Sequence, residues 1–250
     1  MRPARSTGAV AALVAVTLAG CAAPHAPQPG KPARPPPALT APYAASATAG
    51  ANVYRLDGPA SQVLVLVGKA GPLAGFGHRH AIVAGNVRGF AIVRSDGSGR
   101  TNLVFPVRAL RVDPPAVRQS LGGDYAKTLD AGARSGTRKH MLGKSVLDAA
   151  RYPWIGLAAT AAAGNNPRGL DIRVTLHGQT HEVSAPARLL RDGPLLAVDG
   201  DFAIRQTAFG ITPYSAALGG LRVKDTLHIR YHLMFVRWCG GHEDDKRSSC

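Results

Sequence analysis

The chain has 250 residues, 45% of them hydrophobic, with 30 Lys+Arg against 15 Asp+Glu and 3 cysteines. That length and apolar share suffice for one sizeable core, and so few cysteines exclude a small disulfide scaffold. The net charge of +15 raises nucleic acid as a partner, but the arginines are scattered and no aromatic-basic interleaving accompanies them, so nucleic acid is excluded. Attraction to anionic lipid or envelope polymers suits such a charge better.

"MRPARSTG" carries Arg2 and Arg5 with no acid, and "AVAALVAVTLAG" follows as an apolar run too short to span a bilayer comfortably. This is an export leader. Its end, Leu18-Ala19-Gly20-Cys21, resembles the lipobox of bacterial lipoproteins, which implies cleavage before Cys21 and acylation of that cysteine, palmitate included. Multiple acyl chains hold a protein stably on a membrane. Ala22, where an aspartate is absent, implies an outer membrane lipoprotein of the bacterial envelope, facing the periplasm. An ordinary signal peptide with a chance cysteine is the other reading. Losing Arg2 and Arg5 lowers 30 basic residues to 28 against 15 acidic, a mature charge of +13. Residues 21–51 are Pro- and Ala-rich and read as the acylated cysteine plus a semi-extended tether, with His25 idle in it.

Residues 52–236 are the expected folded domain. Strands are expected at 53–57, 62–68, 82–93, 102–110, 154–163 and 180–190. "LDIRVTLH" alternates Leu170, Ile172, Val174 and Leu176 with polar residues, and "LLAVDGDFAIR" sets Leu196, Val198, Phe202 and Ile204 against Asp199, Asp201 and Arg205. "TLHIRYHLMF" alternates Leu227, Ile229, Tyr231, Leu233 and Phe235 with Thr226, His228, Arg230 and His232. Turn signals at 96–99, 164–169, 177–180 and 191–194 separate the strands. Asp113-Pro114-Pro115 predicts an N-cap and a short helix ending at Gly122-Gly123, and a second helix is expected over 137–150. About nine meandering strands with one helical excursion argue for an all-β, extended antiparallel barrel of about eight strands. At that size the interior is either filled or holds one small ligand.

The stretches 54–89, 140–160, 170–189 and 198–233 resemble, in register, the YceI-like family. The matching elements are Gly77-His78, Leu147-Asp148 with Tyr152-Pro153, the hairpin His177-Gly178-Gln179-Thr180, and the corner Phe209-Gly210-Ile211. The resemblance implies a lipocalin-like barrel whose apolar interior takes a polyisoprenoid or similar long lipid. Val65, Leu170, Ile172, Val174, Leu196, Phe202, Ile204, Ile229, Tyr231 and Leu233 are the expected cavity residues. The leader and the appended tail depart from the family pattern and imply a barrel held at a membrane.

Catalytic signatures are absent: no Gly-x-Ser-x-Gly elbow, His-Glu-x-x-His pair or phosphate loop occurs, so a binding protein without cofactor is expected rather than an enzyme. Asp199, Asp201, His228 and His232 read as surface groups. His78 and His80 would share a strand face, and with His140 they offer an alternative, a periplasmic metal- or haem-binding accessory. The polar tail 237–250 holds His242, Glu243, Asp244 and Asp245 as a solvated terminus, and Cys239 and Cys250 as a possible disulfide in an oxidising compartment.

Overall fold

The computed structural model describes residues 39–164 and 169–239. In chain order these form α1 (Thr40–Thr48), β1 (Asn52–Leu56), β2 (Gln62–Ala70), β3 (His80–Val83), β4 (Arg88–Val93), β5 (Gly99–Pro106), β6 (Arg111–Val112), α2 (Pro115–Leu121) and α3 (Ala131–Leu142). They continue with β7 (Trp154–Ala161), β8 (Leu170–Leu176), β9 (Gln179–Ala185), β10 (Ala187–Asp192), β11 (Leu195–Arg205), β12 (Ser215–Ala216) and β13 (Leu221–Arg237). The class is all-β, and the strand pairs are antiparallel.

Several strands are halves of one longer, bent strand. β1 and β2 both lie on β13, through Tyr54↔Arg237 and Val63↔Tyr231, and β4 and β3 flank them in turn. β9 pairs with β8, whereas β10 pairs with β11. The order therefore runs β13, β1/β2, β3/β4, β5, β7, β8, β9/β10, β11 and back to β13, a ring of the size that can enclose one small ligand. The ring is not strictly closed by an unbroken ladder. Pairing changes partner at Pro186, between β9 and β10, where the ring nitrogen has no hydrogen to donate.

Alternation sends one set of side chains inward and the next outward. Val63, Ile82, Leu103, Ile172, Leu196, Phe202, Ile229 and Phe235 belong to the interior cluster. On the outside, Leu64, Leu66, Ala81 and Val83 are covered by Val117 and Leu121 of α2 and by Tyr125. A second outer cluster joins Tyr43 of α1 to Val53, Phe90, Ile92 and Trp238, with the Tyr43 and Phe90 rings stacked at 5.2 Å.

Five expectations change. Residues 40–48, assigned to the tether, form α1, because Tyr43 has a buried slot and its hydroxyl donates to Asn102 Oδ1 at 2.7 Å. The strand expected over 82–93 breaks where Asn86 takes a left-handed φ of 53°, and the one over 180–190 breaks at Pro186. The second helix spans Ala131–Leu142 and not 137–150: Asp130 caps it through Ala133 N–H at 2.7 Å, and Gly143 ends it. Asp113 does not cap α2, whose N-cap is Pro114, because its carboxylate is engaged elsewhere.

Candidate ligand cavity

The inward faces of the ring enclose an apolar space in two lobes. The larger, of about 450 Å³, is bounded by Val65, Val174, Ile204 and Leu227 among others, and the smaller, of about 80 Å³, by Leu170, Ile172, Leu196, Tyr231 and Leu233. Val63, Leu157, Phe202 and Ile229 line both. All ten residues expected at a cavity therefore face this interior. A wider cleft of about 1360 Å³ is lined by Arg55, Arg88, Arg108, Arg111 and Arg138 with Asp57. Arg138 there donates to the carbonyls of Leu110 and Arg108.

Six polar side chains line the larger lobe, His78, His80, Thr137, His140, Gln206 and Tyr214, and the exposed His140 and Tyr214 mark its mouth. The strand start at His80 and the last turns of α3 bring them there, and the His140 and Tyr214 rings meet at 4.9 Å. Beneath the mouth lies a buried relay. His80 Nδ1 is 2.6 Å from Asp113 Oδ2, while Asp113 Oδ1 accepts from Ala81 N–H at 2.8 Å and from Arg118 at 2.7 Å. Arg118 also donates to the carbonyls of Arg79 and Lys127. Burial by itself would raise the Asp113 pKa, but the His80 and Ala81 hydrogen bonds, the His80 charge and the Arg118 hydrogen bond outweigh it and hold the carboxyl below its usual range. An ionised carboxylate only accepts, so Nδ1 of His80 carries the proton and Nε2 is the ring atom available to the cavity.

Burial, then the charges of Lys127, His80, Arg118 and Lys69, hold His78 below its ordinary 6.5. As pH falls through 6.5 the unfolded chain protonates at this position before the folded one, so stability falls with pH. The depressed Asp113 acts in the same direction lower down: its contribution is present above 3.8 and is lost as pH falls through its folded value. Thermal unfolding followed by circular dichroism should therefore show a two-stage acid loss, with His78→Asn removing the upper stage only. An unchanged upper stage in that variant would refute the assignment.

Deeper inside, the Tyr231 hydroxyl sits over Gly200 and is buried without a hydrogen-bond partner among the described residues. Burial first, then the charges of Asp201 and Asp199, push its pKa up to about 12. The surface readings of β11 and β13 agree with the exposure of Asp201 and His228 and with the exposed His232–Asp199 pair at 2.6 Å.

His78, His80 and His140 line one lobe, yet among the described residues no three His, Cys, Asp or Glu side chains are grouped to hold a metal. Asp113 occupies one nitrogen of His80, and His140 packs on Tyr214. Sequence reading missed Asp113, Arg118, Thr137, Gln206 and Tyr214. The one local signal was Arg118 beside Val117 and Leu121, a charge next to the buried face of α2. The leader, Cys21 and His25 lie outside the described residues, as do the acidic cluster of the tail and Cys250. Cys239 is disulfide-bonded.

Three of the four elements that carried the resemblance converge in space, and the fourth, Gly77-His78, lines the larger lobe. The Tyr152 ring lies 4.4 Å from that of His177, and His177 Nδ1 is 3.1 Å from the Phe209 carbonyl oxygen. Gly178, at φ 76°, passes so close to Tyr152 that a Cβ would collide with the ring. This corner is a packing motif outside the mouth.

Among curated proteins nothing matches the chain. Of solved structures, Burkholderia cenocepacia BcnA is similar at a TM-score of 0.50 and 16% identity, over 72% of this chain and 98% of that one. A polyisoprenoid binding domain from Saccharophagus degradans, implicated in plant cell wall breakdown, gives 0.49 and 12%, over 74% and 98%. Likeness to BcnA at this identity supports the fold. The YceI-like domain profile matches residues 54–235, nearly the whole ring of strands and both walls of the cavity, and the chain belongs to the YceI-like family.

Proposed function

We propose that the barrel binds a long apolar lipid with a small polar head, a polyisoprenoid or similar molecule, for carriage, storage or presentation at the bacterial envelope. The observation that carries this reading is the distribution of polarity: two adjoining apolar lobes that share four wall residues, with His78, His80, Thr137, His140, Gln206 and Tyr214 among the residues that line the larger. A pocket of a few hundred Å³ with a few convergent polar groups is the usual form of a small-ligand site. The tail would displace no hydrogen bonds inside, and the imidazoles would meet the head. The leader and Cys21 add the proposal that an acyl anchor holds the barrel on the outer membrane, which leaves Cys250 to pair with Cys239.

Native mass spectrometry of protein isolated from its own envelope tests both parts in one spectrum. The expected species is a chain cut before Cys21, heavier by its acyl groups, with a lipid that leaves on collisional activation. A bare chain that also fails to take up a fluorescent prenyl probe after delipidation would sink the binding reading. An unacylated mass with lipid bound would remove the anchor alone.

A further inference from the structure

Six large apolar side chains are exposed among the described residues, and four of them, Leu73, Phe76, Tyr214 and Leu218, lie on two loops that meet beside the larger lobe. Phe76 is 84% exposed and Leu218 is wholly so. Phe76 and Tyr214 also line the larger lobe, so the apolar interior continues onto the surface here. The two loops that carry the four residues are fixed to each other. Leu73 N–H donates to Gly220 O at 2.8 Å, Gly71 lies so near Gly220 O that a Cβ would clash with it, and Val223 N–H donates to Tyr214 O at 2.9 Å. Leu218 is held out in a left-handed conformation, φ 51°, beside Ala217 at 49°. A leucine there gains neither burial nor a relaxed backbone, so nothing within the fold accounts for it.

The surround is basic. Lys69 donates to the Gly77 carbonyl, Lys224 packs over Gly68, Arg222 pairs in register with Ala70, and the charge of Lys127 reaches His78. None of these four has a carboxylate partner among the described residues, whereas the nearby acids Asp124 and Asp225 are paired with Arg79 and Arg205. An apolar tip in a basic ring matches the acyl and headgroup layers of an anionic bilayer.

We propose that this lip docks on an anionic lipid bilayer, with Leu73, Phe76 and Leu218 entering the acyl region, so that the cavity mouth opens against the membrane. This rests on the lipid-binding reading: a water-insoluble ligand would then pass between bilayer and cavity without crossing water.

The test places a reporter on the lip of the full chain. Leu218→Trp is mixed with vesicles of phosphatidylcholine, alone or with phosphatidylglycerol, whose acyl chains carry bromine. Emission from Trp introduced at this position, above the background of Trp154 and Trp238, should shift to the blue and be quenched, more strongly with phosphatidylglycerol. Adding Leu73→Ser and Phe76→Ser should weaken partition by about tenfold or more, the loss expected for large apolar side chains that no longer leave water. Because the reporter reads only its own depth, attachment through the N-terminal leader does not imitate the result. Emission that stays solvent-like and unquenched at saturating vesicles overturns the docking surface. A blue shift without vesicles that grows with protein concentration overturns it too, in favour of a second copy. Probe binding is measured separately on the parent chain. Bound probe with an unquenched reporter removes docking and leaves the cavity reading, whereas quenching without probe binding removes the lipid portal along with that reading.

Discussion

Asp113→Ala should destabilise the fold by about 3–5 kcal/mol, because it leaves the Arg118 guanidinium buried with carbonyl partners and no counter-charge. Two further groups lose their acceptor in the same step. His80 Nδ1 has its bond to Asp113, and Ala81 N–H, on a wholly buried residue, donates only to this carboxylate. These losses share one network and do not add. Asp113→Asn keeps the shape and tolerates the left-handed φ of 49°, so its loss should be smaller. Combining Asp113→Ala with Arg118→Met should recover part of the loss, since removing both charges ends the uncompensated burial. Urea unfolding of the three variants gives the comparison. A loss under about 1 kcal/mol for Asp113→Ala would show that the relay does not hold this side of the barrel.

The relay also shows where local pattern stops being informative. β8 and the outer half of β13 are legible because one face meets the core and the other meets water, and a period of two records that difference. Asp113 before two prolines carries the local signature of a helix cap, yet its actual partners, His80 and Arg118, come from another strand and from inside α2. Only the tertiary pairing of β3 with β6 brings them together. The same reason hides α1. "TAPYAASAT" has a single large side chain, and the slot for Tyr43 is built by Phe90 and Trp238, distant in sequence. Gly132 and Gly136 weakened the helical pattern at the true start of α3, where Asp130 caps it. The interior, by contrast, was readable in detail. β8 and β11 alternate along it, whereas β2, β3 and β4 are apolar on both faces, and small residues such as Ala91, Ala159 and Ala161 sit where larger ones would fill the smaller lobe. The mouth was half readable: the histidine pair stands out in sequence, whereas Thr137, Gln206 and Tyr214 reach it from separate elements.

Ile229→Trp should abolish useful ligand affinity while leaving the barrel folded. Ile229 is buried on β13, opposite Phe202 on β11 and Val65 on β2, and it lines both lobes, so an indole there takes space from each. At about 0.8 kcal/mol per buried methylene, ten chain carbons gain roughly 8 kcal/mol, and losing half of that burial is about a thousandfold in affinity. In a filled core the same substitution would overpack and cost about 1–3 kcal/mol. Here the larger lobe, of about 450 Å³, stands beside the position and can take the ring with little strain. Val174→Trp is the companion variant, because Val174 lines the larger lobe only and should block the tail from the mouth side. Thermal unfolding and displacement of a fluorescent prenyl probe, both on delipidated protein, separate the two effects. Retained folding with lost probe binding fits a ligand channel running through Ile229. A strongly destabilised variant of a parent that never bound the probe would instead mean that the lobes are packing defects of an otherwise filled core, and the binding function would fall with them.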